Sequence, residues 1–254
     1  MIDIHMFPCL QDNYGFLLHC RETGVTATVD TPEVAPIEAA LEEQGWTLTH
    51  VLNTHHHFDH AGGNEELKAR HGCTIVGPKA DEARIPGIDI CVAQDDVYEL
   101  GKIKLQVFDV PGHTSGHIAF YAPDAKAAFV GDTIFALGCG RLFEGTPEQM
   151  WTSIQKLMAL PDDTQIYCAH EYTQSNARFA VSVDPDNAEL TQRAQQIDDA
   201  RSRGEATVPT ILGLEKATNP FLRPMAESLR ATLGMANADD VAVFAETRFR
   251  KDNF

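Results

Sequence analysis

The chain has 254 residues, enough for one large domain or two modest ones around a sizeable core. Hydrophobic residues make up 43% and charged residues 22%, an ordinary balance for a folded globular protein, and no run of about 18 apolar residues is present to span a membrane. A net charge of −17 works against nucleic acid as a partner, because phosphate is repelled over most of such a surface.

Residues 1–31 alternate β-rich runs at 2–7, 16–19 and 25–29 with turns predicted at Asn13-Tyr14-Gly15 and Glu22-Thr23-Gly24. Thr31-Pro32 reads as a helix start, with threonine capping and proline in the first helical position. Val34, Ile37, Ala40 and Leu41 follow at helical spacing, and Gly45 ends the helix. Residues 48–53 form a strand, from whose end hangs Thr54-His55-His56-His57-Phe58-Asp59-His60. Asn64 is expected to cap a short helix over 65–71 that ends at Gly72. Residues 74–77 and 102–110 read as strands with a loop between them, and 118–121 and 127–130 as a further pair. Thr146-Pro147-Glu148-Gln149 is a capping box. It opens a helix that turns Met150, Trp151, Ile154, Leu157 and Met158 inward and stops at Pro161. A last strand covers 165–168.

Beyond residue 170 the character changes. Residues 187–203 and 238–247 read as amphipathic helices, and β-branched runs become scarce. Residues 1–170 hold 10 Lys+Arg against 24 Asp+Glu (10 − 24 = −14), whereas 171–254 hold 10 against 13 (10 − 13 = −3). All 11 histidines and all six cysteines lie in the first part. We therefore expect two domains, 1–170 bearing the chemistry and 171–254 a small helical one. Two strand-rich halves flanked by helices predict an α/β sandwich for the first. The cysteines show no C-x-x-C pair, and the first residues lack the cationic and apolar pattern of a signal peptide. Buried reduced thiols, a cytoplasmic setting and a monomer are the expectation.

Four stretches share one layout: an apolar strand, a small-residue turn, then a side chain able to bind metal. They are the motif after 48–53, His113 after 102–110, Asp132 after 127–130 and His170 after 165–168. Strand ends of this kind bring side chains to one rim of a sheet. His55, His57, Asp59, His60, His113, Asp132 and His170 make seven candidate ligands, too many for one tetrahedral ion with an open position. They suit two ions sharing a carboxylate. Imidazole and carboxylate suit zinc, with iron or manganese as alternatives. His56 and Phe58 alternate away from the ligands, which favours packing or supporting roles. Asp30 and His117 are candidates to orient a ligand, and His5, His19, His50 and His71 are expected at ordinary surface or core positions.

These residues resemble the metallo-β-lactamase superfamily, and within it the glyoxalase II family, the hydroxyacylglutathione hydrolases. The family resemblance is carried by Asn53 to Asn64, Gly138-Cys139-Gly140-Arg141-Leu142-Phe143-Glu144-Gly145, His170-Glu171-Tyr172-Thr173, Asn219-Pro220-Phe221-Leu222-Arg223 and Arg250-Lys251-Asp252. It covers essentially the whole chain and implies an αββα sandwich followed by an all-helical C-terminal domain. It implies that His55, His57 and His113 hold one divalent ion, that Asp59, His60 and His170 hold the other, and that Asp132 bridges. It further implies a thioester hydrolase in which a metal-bridging hydroxide, held by Asp132 and oriented by Asp59, converts S-D-lactoylglutathione to glutathione and D-lactate, the second step of methylglyoxal detoxification. Arg248 and Lys251 would then hold the glycine carboxylate, with Tyr172 and Arg141 on the rest of the tripeptide. Animal members carry lysine at the position of Arg141 and tyrosine at that of Phe143, so the chain resembles the bacterial branch. The alternatives are a glutathione persulfide dioxygenase with one iron, an RNA-processing nuclease, disfavoured by the acidic surface, and a non-catalytic binding module of the same fold.

Overall fold

The computed structural model describes residues 1–254. The first sheet is built from β1 (Ile2–Cys9), β2 (Asn13–Cys20), β3 (Thr26–Val29), β4 (His50–Leu52), β5 (Thr74–Pro78) and β6 (Ile90–Val92), in that order. The first three strands are antiparallel and the last three run parallel to β3. Helices α1 (Val34–Gln44), α2 (Phe58–Ala61) and α3 (Asn64–His71) lie in its crossovers. The chain continues through β7 (Val97–Leu100), β8 (Ile103–Asp109), β9 (Ile118–Ala122), β10 (Ala127–Gly131), the hairpin β11 (Ile134–Phe135) and β12 (Gly138–Cys139), α4 (Pro147–Met158) and β13 (Gln165–Cys168). It ends in α5 (Thr173–Val183), α6 (Ala188–Ser202), β14 (Thr210–Ile211), α7 (Leu212–Thr218), α8 (Glu227–Leu233) and α9 (Asp240–Asp252). The second sheet has the order β14-β13-β10-β9-β8-β7.

The period-2 alternation of the strands separates two cores. Phe16, Leu18, Leu52 and Val76 point between the sheets, where they meet Leu105, Val107, Phe120 and Phe129. Their neighbours Leu17, Val51 and Ile75 point the other way, onto Ile37, Leu41 and Leu67 of α1 and α3. The arrangement is the expected αββα sandwich. The C-terminal helices share the inter-sheet core through Phe179, Phe221, Leu229 and Phe244, and β14 adds a short edge strand to the second sheet. The C-terminal segment is thus helical except for this strand, which the polar Thr207–Thr210 surroundings do not announce. No helix is long and apolar enough to cross a membrane.

Several local expectations are corrected. The first turn falls at residues 10–12, with Leu10 left-handed at φ 49°, and Asn13 to Gly15 begin β2. Asn13 is held extended by a bridge to His170, and the Tyr14 N–H donates to Ala169 C=O at 2.7 Å. Helix α1 starts at Val34, not Pro32, because Thr31 is engaged elsewhere: its N–H donates to His60 C=O (2.8 Å) and its hydroxyl to Asn64 Oδ1 (2.8 Å). Asn64 likewise does not cap its helix; its side chain donates to Asn53 Oδ1 (2.7 Å) and Pro86 C=O (3.0 Å). Met158 is only partly buried. The loop predicted between β5 and β8 contains β6 and β7, which are short and half-exposed and so carry little pattern. The capping box at Thr146 and Gln149 is present in full. All six cysteines are free thiols and five are buried.

Candidate active site

The structure brings all seven candidate ligands to one rim of the sandwich. His55 and His57 follow β4, and Asp59 and His60 ride on the single turn of α2. His113 lies between β8 and β9, Asp132 follows β10, and His170 follows β13. Their donor atoms form three overlapping groups, each within 4.8 Å: His55, His57 and His113; His55, His60 and Asp132; Asp59, His60 and His170. His57 Nδ1 lies 3.1 Å from both His55 Nε2 and His113 Nε2. The Asp132 carboxylate sits between the two ends, with Oδ1 at 3.4 Å from His60 Nε2 and His170 Nε2 and Oδ2 at 3.4 Å from His113 Nε2. Asp59 Oδ2 is 3.5 Å from His60 Nε2 and His170 Nε2.

In four of the five candidate-ligand imidazoles the second nitrogen shows how the first is aimed, whereas His57 turns its Nδ1 into the cluster. Asp30 accepts from His60 Nδ1 at 2.8 Å, Asp12 from His170 Nδ1 at 2.9 Å and the Arg141 carbonyl from His113 Nδ1 at 2.9 Å. Thr54 Oγ1 donates to Asp30 Oδ2 (2.9 Å) and therefore accepts from His55 Nδ1 (3.0 Å). These acceptors force the proton onto Nδ1 and leave Nε2 as a free lone pair, the arrangement seen around ligated metals. Asp30 also takes the Thr54 N–H at 2.8 Å and does so from a left-handed backbone, φ 59°. That conformation is costly for a residue with a side chain and marks a demanded geometry. His117 is buried, stacks on His55 at 4.5 Å, and accepts the Asp132 N–H at 3.1 Å. Both Asp30 and His117 therefore brace candidate ligands, Asp30 through His60 and His117 through His55 and Asp132. Gly131 makes room for this packing: its φ is +48°, and a Cβ would lie 2.6 Å from Thr54 Oγ1 and 2.7 Å from His117 Nε2.

Two buried atoms in the cluster, His60 Nε2 and Asp132 Oδ1, have no hydrogen-bond partner. Buried polar atoms are almost always paired, so this donor set fits a divalent cation. Burial alone would raise the Asp132 carboxyl, but the imidazoles of His60, His170 and His113 outweigh it and hold it well below the usual carboxylate range. Burial pushes His55 and His117 down and keeps them neutral.

The cluster opens into a cleft of about 720 Å³. Tyr172 stacks on His170 with ring centroids 4.7 Å apart, and Phe143 stands edge-on over His113 at 5.2 Å and His57 at 5.8 Å. The far wall is cationic: Arg141, Arg178, Arg248 and Lys251 all line it. Arg248 is buried and its Nη1 donates to Cys139 C=O at 2.8 Å, with Nη2 2.9 Å from Asp252. Lys251 Nζ contacts Ser175 C=O and Oγ at 3.3 Å. Burial, with Arg248 and Arg141 close by, lowers the Lys251 ammonium to about 8. Arg250 points away and pairs with Glu246. Nothing in the sequence marks Arg178 or Ser175, because α5 starts without a side-chain cap and its cleft face shows only in three dimensions. His56 and Phe58 do not join the ligands: His56 bonds Asp81 at 3.0 Å, and Phe58 is exposed. His5, His19, His50 and His71 lie outside the cluster and the cleft.

Residues 22–170 match the model of the metallo-beta-lactamase superfamily, and 171–254 match that of the hydroxyacylglutathione hydrolase C-terminus. A hydroxyacylglutathione hydrolase of Maricaulis maris is 57% identical over 99% of this chain and 98% of its own length. One of Methylococcus capsulatus is 55% identical over 100% and 99%. Among solved structures, ETHE1 from Myxococcus xanthus superposes with a TM-score of 0.67 at 23% identity, covering 99% of this chain and all of its own; at that identity the likeness is one of fold. The full-length relatives and the two matched segments together place the helical segment as well as the metal-binding sandwich: the chain belongs to the hydroxyacylglutathione hydrolase family of the metallo-β-lactamase superfamily.

Proposed function

We propose that the chain hydrolyses S-D-lactoylglutathione and related 2-hydroxyacyl glutathione thioesters to glutathione and D-lactate, the second step of methylglyoxal detoxification, as a cytoplasmic monomer. The observation that carries this reading is that a cluster of seven candidate metal-binding side chains, five of which line the cleft, shares that cleft with four cations, on a chain whose net charge is −17. In this reading residues 1–170 supply the chemistry and 171–254 most of the tripeptide site. His55, His57 and His113 would hold one divalent ion and Asp59, His60 and His170 a second, with Asp132 shared by both sets and zinc as the first choice. Metal held there would supply Lewis acidity for the thioester carbonyl and would lower the pKa of a bound water.

The chain's own groups do the rest. Asp132 faces both halves of the cluster and keeps them in register. Asp59, the more exposed of the two carboxylates, faces the cleft, where it can orient the attacking oxygen; Asn13 Nδ2 fixes it at 3.2 Å. The leaving thiol has an ordinary pKa of about 8.5, so it departs as thiolate and needs no acid. Arg248 and Lys251 take the glycine carboxylate, and Tyr172 and Arg141 contact the remaining peptide. Phe143 has no hydroxyl and offers only an apolar edge. The test is loss of thioester absorbance with S-D-lactoylglutathione, with metal analysis on the same sample. Hydrolysis with two ions per chain is expected. No turnover, or one iron with oxygen uptake, overturns it in favour of the binding-module or dioxygenase reading.

The cationic wall adds a pH dependence. A lysine lowered to about 8 is charged below that pH and neutral above it. The KM for the anionic thioester should therefore rise as pH passes through about 8, and Lys251→Arg should flatten that rise. Arg248→Ala combined with Lys251→Ala should raise KM about a hundredfold, the scale of two charge-assisted hydrogen bonds, with kcat within a few fold. An unchanged KM counts against the carboxylate clamp.

A further inference from the structure

A second polar network lies beside the ligand cluster and belongs to no assigned function. Arg84, just before Ile85 on the connection between β5 and β6, meets Glu144 with two parallel bonds, Nη1 to Oε1 at 2.6 Å and Nη2 to Oε2 at 3.1 Å. Glu144 Oε2 also accepts the Ser115 N–H at 2.7 Å and the Ser115 hydroxyl at 2.9 Å. Arg84 Nε donates to Asp81 Oδ1 at 3.1 Å, and the other Asp81 oxygen holds His56 Nδ1 at 3.0 Å. Asp81 is buried against Gly116, where a Cβ would lie 2.1 Å from its Oδ1 and would displace the carboxylate. The network thus joins three segments: the histidine motif through His56, the loop after His113 through Ser115, and the loop 141–145 through Glu144.

Loop 141–145 has three tasks at the cleft. Its Arg141 carbonyl fixes the tautomer of His113 (2.9 Å), its Phe143 ring covers His113 and His57, and its Arg141 side chain lines the cationic wall. Yet its anchorage is thin. Besides the His113 bond to Arg141 C=O, two backbone–backbone bonds tie it down, Phe143 N–H to His113 C=O at 3.3 Å and Gly145 N–H to Gly112 C=O at 3.0 Å. Every hydrogen bond from a side chain of this loop is made by Glu144. The Arg84 and Glu144 side chains are 36% and 30% exposed, so as a bare ion pair they would add little to stability. Four donors converging on one carboxylate define a position instead.

We propose that Arg84 and Glu144 form a positioning latch that sets where loop 141–145 presents Arg141 and Phe143 to the glutathione thioester. The proposal rests on the function proposed above. Neither residue touches substrate; both act through the loop. The experiment compares the metal-loaded full chain with Glu144→Gln, Arg84→Met and the double variant, reading KM and kcat for S-D-lactoylglutathione together with amide hydrogen exchange at Ser115 and residues 141–145. Each single variant should raise KM about tenfold, the scale of one charge-assisted hydrogen bond missing from the bound state, with kcat within about threefold. The double variant should match the singles within about twofold, because the pair works as a unit. Exchange should speed up in 141–145 and at Ser115 and stay unchanged in β9 and β10. Unchanged KM and exchange, or KM effects that multiply in the double variant, overturn the latch. Absence of thioester turnover in the parent chain would sink the functional reading alone, since the exchange measurement still decides whether the latch holds the loop.

Discussion

Asp132→Ala is expected to lower kcat/KM more than about a thousandfold and to take bound metal below two ions per chain after dialysis. No other carboxylate of the cluster faces both halves: its two oxygens stand 3.4 Å from imidazole nitrogens of His60, His170 and His113. The carboxylate is also the main charge holding the site together. With it gone, the lone pairs of His55, His57 and His113 at one end and of His60 and His170 at the other lose their shared counter-charge, and cation affinity at both ends falls. Asp132→Asn separates charge from shape. The amide fits the same space but is neutral and presents an N–H₂ toward one of the nitrogens, so it should lose metal nearly as fully as alanine. Metal counting by mass spectrometry is the primary readout, since it does not depend on the substrate. Two ions retained at undiminished affinity in Asp132→Ala would remove the residue from the bridging place proposed for it.

The seven candidate ligands could be picked out in the chain because metal binding demands particular residue types, and they follow apolar strands and turns that bring them to one rim. What supports them is only partly legible. Asp30 and His117 can be named as candidates to orient a ligand but their partners cannot, because Asp30 meets His60 thirty positions away and His117 meets the Asp132 amide. Asp12 carries no signal at all, although it holds His170 across 158 positions. The same competition explains the misplaced helix starts. Thr31 and Asn64 have the side chains of caps, but both are drawn into the amide ladder with Asn53 that fixes the His60 backbone. A local rule fails there because a longer-range demand of the site overrides it. The edge strands β6 and β7 are illegible for the opposite reason, having too few buried positions to set a period.

The motif Asn219 to Arg223 has no role in the chemistry, and its surroundings carry the second large expected effect. Glu215, with no exposed surface, pairs with buried Arg193 and accepts from the Thr210 hydroxyl (2.6 Å), the Leu137 N–H (2.9 Å) and Asn219 Nδ2 (2.9 Å). Arg193 spends its other donors on Thr218 Oγ1 (2.6 Å) and Thr210 Oγ1 (2.9 Å). Asn219 Nδ2 in turn reaches the carbonyls of Phe135 (3.2 Å) and Gly138 (3.0 Å), the pair that flanks the turn of the β11–β12 hairpin. This knot of charge therefore ties the C-terminal helices to the segment between Asp132 and Arg141. Glu215→Ala should cost about 3–5 kcal/mol, because it strands a guanidinium where water cannot reach it and orphans the Leu137 amide. Against a total stability of about 5–15 kcal/mol that is a large fraction, and it should appear as a fall in Tm on the order of 10 °C. Replacing both charges, Glu215→Leu with Arg193→Met, should recover a substantial part of the loss, since no unpaired charge is then buried. If Glu215→Ala costs under about 1 kcal/mol by chemical denaturation, water reaches the pair and the knot is not what fastens the helices to the hairpin. If instead the double replacement is as damaging as the single one, the cost lies in the hydrogen bonds to Leu137 and Asn219, and the hairpin rather than the ion pair is what Glu215 stabilises.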